Sequence, residues 1–326
     1  MTTFNRRAVL TGTACAMLGA HPFAWAKYPD KSVKIIVPWA PGGSTDAIAR
    51  ALAQSLTEST KQTFLVDNKP GAAAQIGTDA AAKSAPDGYT LAIVELPHAI
   101  APAVVAKLPY DVLRDFAPIT LLGTSPMILF TGVGPESADL KTFVKTSLAA
   151  KAPPAIAHSG SGTVSHLVGE MFAQRTKIKF TQVPYRGSAP ALTDVAAGLV
   201  AGHFATLASG AALLSAGKIR AAAVAGKRRI ETLALRNVPT FAELGYKDFE
   251  VNQWWALVAP ATTAVDTLEY LRDETIGALS SPKVQERLST LGVDLKGGTR
   301  DQLRGFMRSE AERWQTVAKG IGLQPQ

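Results

Sequence analysis

Cysteine, aromatic side chains and charge are all scarce in this chain of 326 residues. The single cysteine, Cys15, lies in an apolar N-terminal stretch. Disulfides, zinc–thiolate sites and cysteine nucleophiles therefore drop out together for everything that follows it. An aromatic fraction of 7% is too small for a base-stacking nucleic-acid platform. Charged residues make up 18% of the chain and apolar ones 47%, against a usual charged share of about 25%. That composition excludes a disordered or coiled-coil chain. No apolar run reaches the roughly 18 residues of a membrane span. The five histidines (His21, His98, His158, His166, His203) show no paired metal spacing, and no metal is expected. What remains is a compact globular protein, long enough for two domains at about 150 residues each.

The net charge of +8 is spread thinly. Its densest cluster, Lys227-Arg228-Arg229, reads as a solvated turn rather than a phosphate-binding stripe, so no nucleic-acid partner is expected. The charge would help to attract small anions from a distance.

Residues 1–26 read as a cleavable export signal. Arg6-Arg7 form the positive region, Ala8 to Ala20 the apolar region and Ala24-Trp25-Ala26 the cleavage site. The expected location is the periplasm, with cleavage after Ala26. Asn5-Arg6-Arg7-Ala8-Val9-Leu10 resembles a twin-arginine signal, although Asn5 leaves the export route open. A lipid anchor on Cys15 is the alternative. Gly12-Thr13-Ala14 lacks the large aliphatic residue such an anchor needs upstream, so Cys15 is read as discarded with the signal.

Beyond the signal, strand-like and helix-like runs alternate. Strands are expected at Val33–Val37, Thr63–Val66, Thr90–Val94, Met127–Val133, Ala155–Ala157, Ile178–Val183, His203–Leu207, Ile219–Ala225 and Trp254–Val258. Helical patterns fill the gaps and dominate the C-terminal third, at Thr263–Leu279, Lys283–Leu291 and Thr299–Lys319. The alternation implies an α/β protein with parallel sheets. No linker separates the halves, so the chain is expected to cross between two lobes on Met127–Val133 and Trp254–Val258. One lobe would comprise residues 27–126 and 254–326, and the other 127–253. Ligands of such sheets bind beyond the carboxyl ends of the strands, here in a cleft between lobes.

Two loops carry the strongest functional signal. Pro38-Trp39-Ala40-Pro41-Gly42-Gly43-Ser44-Thr45-Asp46 joins a strand to an amphipathic helix, and Ser159-Gly160-Ser161-Gly162-Thr163-Val164-Ser165-His166 repeats the arrangement in the other half. Glycines let the backbone approach a ligand, and the free N–H groups of a helix start favour anions. A plain capping loop, with Asp46 or Ser44 as the cap, is the competing reading. Neither loop has the spacing of a P-loop or a dinucleotide fingerprint, so no cofactor is expected. Ser165 and His166 invite a hydrolase reading, but neighbouring helical side chains diverge and the nucleophile-elbow pattern is missing. Val183-Pro184-Tyr185-Arg186-Gly187-Ser188 offers Arg186 as a carboxylate clamp or a mere surface charge. Asn68-Lys69-Pro70-Gly71-Ala72-Ala73-Ala74-Gln75 offers Gln75 as a polar contact.

Taken in order, these segments resemble the substrate-binding receptors of tripartite tricarboxylate transporters, the Bug receptors. The resemblance runs through Ile36-Val37-Pro38-Trp39-Ala40-Pro41-Gly42-Gly43-Ser44-Thr45-Asp46, Asn68-Lys69-Pro70-Gly71, Ala85-Pro86-Asp87-Gly88-Tyr89-Thr90, Leu108-Pro109-Tyr110-Asp111, Asp115-Phe116-Ala117-Pro118, Val183-Pro184-Tyr185-Arg186-Gly187 and Gly217-Lys218-Ile219-Arg220. It implies a two-lobed, type II-like periplasmic-binding-protein fold that closes on a small carboxylate and hands it to two integral membrane subunits. It implies no catalysis, and a monomer suits a shuttling receptor. By the same resemblance, Trp39, Gly42, Gly43, Ser44 and Thr45 would hold the ligand in the first loop. Ser161, Thr163, Ser165 and His166 would do so in the second, with His98 and Arg186 as further contacts.

Trp39 stands where such receptors usually carry Phe, which would suit a flat acid. Ala201 and Ala205 stand where many carry Asp, which points away from amino-acid ligands. The alternatives are a secreted Ser/His hydrolase and a ligand-dependent extracytoplasmic sensor.

Overall fold

A computed structural model describes residues 28–320 and residue 322. The export-signal reading and Cys15 lie outside the described residues.

The first half is laid down as strand–helix repeats: β1 (Val33–Val37), α1 (Ser44–Thr60), β2 (Phe64–Asn68), α2 (Gln75–Ala82), β3 (Thr90–Glu95) and α3 (Leu96–Val104). In α1, Ile48, Leu52 and Leu56 recur every fourth residue and are all buried, which seats the helix on the sheet. The chain then runs through β4 (Phe116–Pro126) and β5 (Ile128–Thr131) into α4 (Leu140–Ala149). A second set of repeats follows: β6 (Ala155–His158), α5 (Val164–Thr176), β7 (Thr181–Pro184), α6 (Ser188–Ala196), β8 (Gly202–Ala205), α7 (Leu207–Ser215) and β9 (Arg220–Val224). The last part holds β10 (Asn252–Pro260), α8 (Val265–Ser280), α9 (Pro282–Ser289), β11 (Asp294–Leu295) and α10 (Arg300–Gly320).

These strands make two sheets of one topology. The first is ordered β11-β4-β10-β3-β1-β2 and the second β7-β6-β8-β5-β9. In each, a strand–helix–strand–helix–strand unit pairs in parallel, β2-β1-β3 in one and β7-β6-β8 in the other. A strand arriving from the other sheet's side of the chain then adds antiparallel: β10 against β3, and β5 against β8. The sheets are therefore mixed, not wholly parallel as the alternation implied. A strand that enters from the opposite lobe runs the other way. The crossings lie side by side, where Met127 N–H donates to Val251 O at 2.9 Å and Ala225 N–H donates to Met127 O at 2.7 Å.

One long strand was not expected. β4 pairs along the whole of β10, from Asn252 against Pro126 to Pro260 against Phe116. Pro118 and the absence of polar alternation hide it: most of its residues are buried, and Pro118 sits at a register shift, where a strand tolerates proline. The C-terminal helix α10 closes this side. Leu303, Met307, Glu310, Trp314 and Ala318 form its buried stripe, and Glu310 Oε2 accepts from the indoles of Trp254 at 3.0 Å and Trp314 at 3.2 Å.

Ala72, Ala73 and Ala74 all take left-handed φ, at 46°, 49° and 78°. A Cβ in this region costs roughly 1–2 kcal/mol per residue. The loop is held there because α2 packs hard against its neighbours: a Cβ added at Gly77 would lie 2.5 Å from Lys69 O and 2.9 Å from Pro38 Cα.

Candidate functional site

The two sheets face each other across a cleft. Five helices begin at its wall, and their N-cap residues Gly43, Glu95, Thr163, Gly187 and Thr206 all line it. At Gly43, Thr163, Gly187 and Thr206 no side chain caps the free backbone N–H groups of the first turn. Such helix starts place partial positive charge and N–H donors around one volume. Among the described residues no Lys, Arg or His lines the cleft, and Glu95 is the one ionisable residue that does.

The wall on the first sheet's side is built on Trp39, Thr45, Glu95 and, from β10, Gln253. Glu95 ends β3 and is 2% exposed. Its Oε2 accepts from Thr45 Oγ1 at 2.8 Å and from Gln253 Nε2 at 2.6 Å, while Trp255 Nε1 donates to Thr45 Oγ1 at 3.1 Å. Burial pushes the Glu95 carboxyl up to about 7, against the opposing pull of those donors. The Trp39 indole N–H adds to that pull without completing a hydrogen bond of its own. Gln253 Oε1 and Thr206 Oγ1 are also buried without partners.

The second-lobe wall is a hydroxyl cluster. Ser165 Oγ accepts from Ser159 N–H at 2.9 Å and lies 3.1 Å from Thr163 Oγ1. Ser159 Oγ is 3.0 Å from Ser188 Oγ, tying the start of α5 to the start of α6. Behind it, His158 and His166 stack with ring centroids 4.5 Å apart. Gly160 N–H donates to His158 Nδ1 at 3.2 Å and Gly162 N–H to His166 Nδ1 at 3.1 Å. Burial, with His166 beside it, pushes His158 down to about 4, and burial does the same to His203. These imidazoles are neutral scaffolding. The walls touch where Ser44 N–H donates to Ser209 Oγ at 3.3 Å.

Of the twelve residues marked from sequence, Trp39, Gly43, Ser44, Thr45, Thr163 and Ser165 line the cleft. The hydroxyl of Thr45 is already committed to Glu95 and Trp255. Gly42 is one residue outside, and its N–H donates to Asp46 Oδ2 at 3.1 Å. Asp46 therefore braces the loop rather than capping α1. Burial raises its carboxyl, but bonds from Arg50, Gly42 and Asn68 outweigh that and hold it below its ordinary value. Gln75, Ser161, His166 and Arg186 are not among the lining residues. Ser161 and Arg186 are exposed, and Gln75 opens α2.

His98 is buried behind the wall. Thr78 Oγ1 donates to Ala74 O at 2.8 Å, so it accepts from His98 Nε2 at 2.8 Å. That leaves His98 Nδ1 to accept from Glu95 N–H at 3.0 Å. Burial pushes this imidazole down to about 4. Ser165 therefore has no imidazole base: His98 is turned inward, and His166 Nδ1 is taken by Gly162. Among the described residues no cluster of His, Cys, Asp and Glu is arranged to hold a metal ion.

Sequence reasoning missed Glu95, Gln253, Ser188, Thr206 and Ser209 as lining residues. The strand-end-then-helix pattern that singled out the two loops also occurs at Glu95-Leu96-Pro97 and Ala205-Thr206-Leu207, and would have found two of them.

Residues 48–323 match the sequence profile of the tripartite tricarboxylate transporter family receptor. The chain is similar to protein BugT of Bordetella pertussis, with 35% identity over 321 residues that span 98% of each chain. Its structure is similar to that of the periplasmic binding protein BugD, with a TM-score of 0.87 and 30% identity over 92% of this chain and 100% of that one. It is similar also to an R. palustris protein solved with adipate, with a TM-score of 0.88 and 31% identity over 92% of this chain and 100% of the other.

Proposed function

Because the chain belongs to the tripartite tricarboxylate transporter receptor family, we propose that it is a periplasmic receptor for a small organic carboxylate. It captures the acid between its lobes and delivers it to membrane transport subunits. The observation that carries this reading is the convergence of helix starts on one cation-free cleft. A carboxylate there is held by N–H groups and hydroxyls alone. Each hydrogen bond to a charged group contributes about 1.5–3 kcal/mol, so three or four approach the roughly −8 kcal/mol of a micromolar site. The neighbour solved with adipate supports an acid as the ligand.

In this reading residues 27–126 and 254–326 form one lobe and 127–253 the other, hinged at the paired crossings near Met127 and Val251. The chain works as a monomer after cleavage at Ala26, and the cleft performs no chemistry. Ser44, Thr163, Ser165 and Ser188 hold the carboxylate, and Trp39 walls the pocket.

Thermal unfolding of ligand-stripped protein against mono-, di-, tricarboxylic and aromatic acids tests this. An acid at 100 times its dissociation constant adds about 2.7 kcal/mol of stability, roughly 5–10 °C at this size. A shift confined to one class of acid, and lost in Ser165→Ala, is the expected result. No shift with any acid would refute the carboxylate reading.

A further inference from the structure

The cleft has two unlike ends. Around the starts of α5 and α6, Ser159, Thr163, Ser165 and Ser188 supply hydroxyls and helix N–H groups, the natural seat of a carboxylate. On the wall at the first sheet's side the exposed chemistry is reversed. Glu95 presents a carboxyl, and Gln253 has turned its NH2 toward it, which leaves Gln253 Oε1 as a buried acceptor with no donor. Gln253 is 5% exposed, and Thr206 of the opposite wall, whose hydroxyl is also unpartnered, is 3% exposed. A buried acid is ordinarily paired with a cation. Here no Lys, Arg or His of the cleft meets Glu95. A second carboxylate of a ligand, placed at this end, would face a carboxyl and an orphaned amide oxygen. A group with N–H donors and positive charge would satisfy both.

We propose that Glu95 and Gln253 make the cleft selective for acids that also carry an ammonium group, so that the ligand is a zwitterion rather than a plain di- or tricarboxylate. The inference rests on the carboxylate-receptor reading and narrows its substrate class. It also reverses the expectation drawn from Ala201 and Ala205. Ala205 does line the cleft as a small neutral residue, but the acid that this position lacks is supplied across the cleft by Glu95.

Protonation follows the same logic. The polar groups around Glu95 are Thr45, Gln253, Trp39, Trp255 and His98. Of these only His98 titrates, and burial keeps it neutral down to about 4. Glu95 is therefore the group whose charge changes in the neutral range. An ammonium ligand pulls its proton off, and acidification weakens binding.

The test is calorimetric titration of the stripped protein with succinate, glutarate and adipate. Each is set beside its ω-amino counterpart (β-alanine, 4-aminobutyrate, 5-aminovalerate) and its α-amino counterpart (aspartate, glutamate, 2-aminoadipate). The expected result is at least a tenfold preference for an amino-bearing acid. That preference falls at least tenfold in Glu95→Gln, falls less in Gln253→Leu, and in the unaltered protein falls between about pH 8 and about pH 5.5. A preference of the unaltered protein for the plain diacid, or tighter binding at the lower pH, overturns the proposal and leaves the receptor reading standing. Binding of no acid in any series refutes the receptor reading and the proposal with it. The pH comparison uses unaltered protein, so the proposal can fail even if a variant does not fold.

Discussion

Glu95 and Thr206 occupy the same place in two copies of one topology. Glu95 ends β3 and Thr206 directly follows β8, and each holds the N-cap position of the next helix, α3 or α7. The pair shows how one scaffold yields two unlike walls. Both positions bring a helix start to the cleft, so both lobes contribute N–H donors and positive potential. One copy then adds a carboxyl and the other a neutral hydroxyl. Behind the walls the contrast continues: the first lobe buries an acid that resists ionising, and the second buries His158 and His203, which resist protonation.

The largest effects expected from this contrast are in pH dependence. The carboxyl of Glu95 is raised from its ordinary 4.5 to about 7, so the folded protein binds its proton more tightly than the unfolded chain. Its contribution is present at low pH and is lost as pH rises through that window, up to about 3 kcal/mol. In the ligand-free protein, Glu95→Gln should therefore raise stability above neutrality and leave it unchanged near pH 4.5, as read by urea unfolding. An unaltered difference between the two pH values would show that the carboxyl is already satisfied.

The histidines act with the opposite sign. His98, His158 and His203 are lowered from 6.5 to about 4, so their contribution is present above 6.5 and is lost as pH falls toward 4. Each is worth at most about 3 kcal/mol. His203→Asn should flatten part of the acid limb of the stability profile. No change in that limb would remove His203 from the account.

Ligand affinity comes next in size. Ser165→Ala removes a hydroxyl from the second wall and should weaken carboxylate binding about 10–100-fold by titration calorimetry. An effect below twofold would move the carboxylate away from α5.

The smallest expected effect lies outside the cleft. Ala72 is exposed at a φ of 46°, so Ala72→Gly should stabilise the protein by about 1 kcal/mol in urea unfolding without changing affinity. A loss of stability would mean that the alanine methyl contributes more than the strain costs.

Much of this architecture was legible locally. A strand, a glycine- and hydroxyl-rich turn and an amphipathic helix can be read within twenty residues, and both principal loops were found that way. The pairing of Glu95 with Gln253 was not legible, because it is made at long range. Gln253 meets Glu95 across 158 positions of chain, on a strand that crosses from the other lobe. A glutamate before Leu-Pro-His reads locally as an ordinary exposed acid, and only the antiparallel pairing of β10 with β3 buries it. His98 misled for the complementary reason. The resemblance offered it as a contact, but its two ring nitrogens are taken by Thr78 and the Glu95 backbone. β4 was hidden because burial on both faces erases the alternation by which a strand is recognised.

The central claim is that both walls grip one ligand. The most direct measurement is amide hydrogen exchange with and without the acid that gives the largest thermal shift. Simultaneous slowing at the starts of α1, α5 and α6 is the predicted result. Slowing at one wall alone, or only outside the cleft, would contradict it.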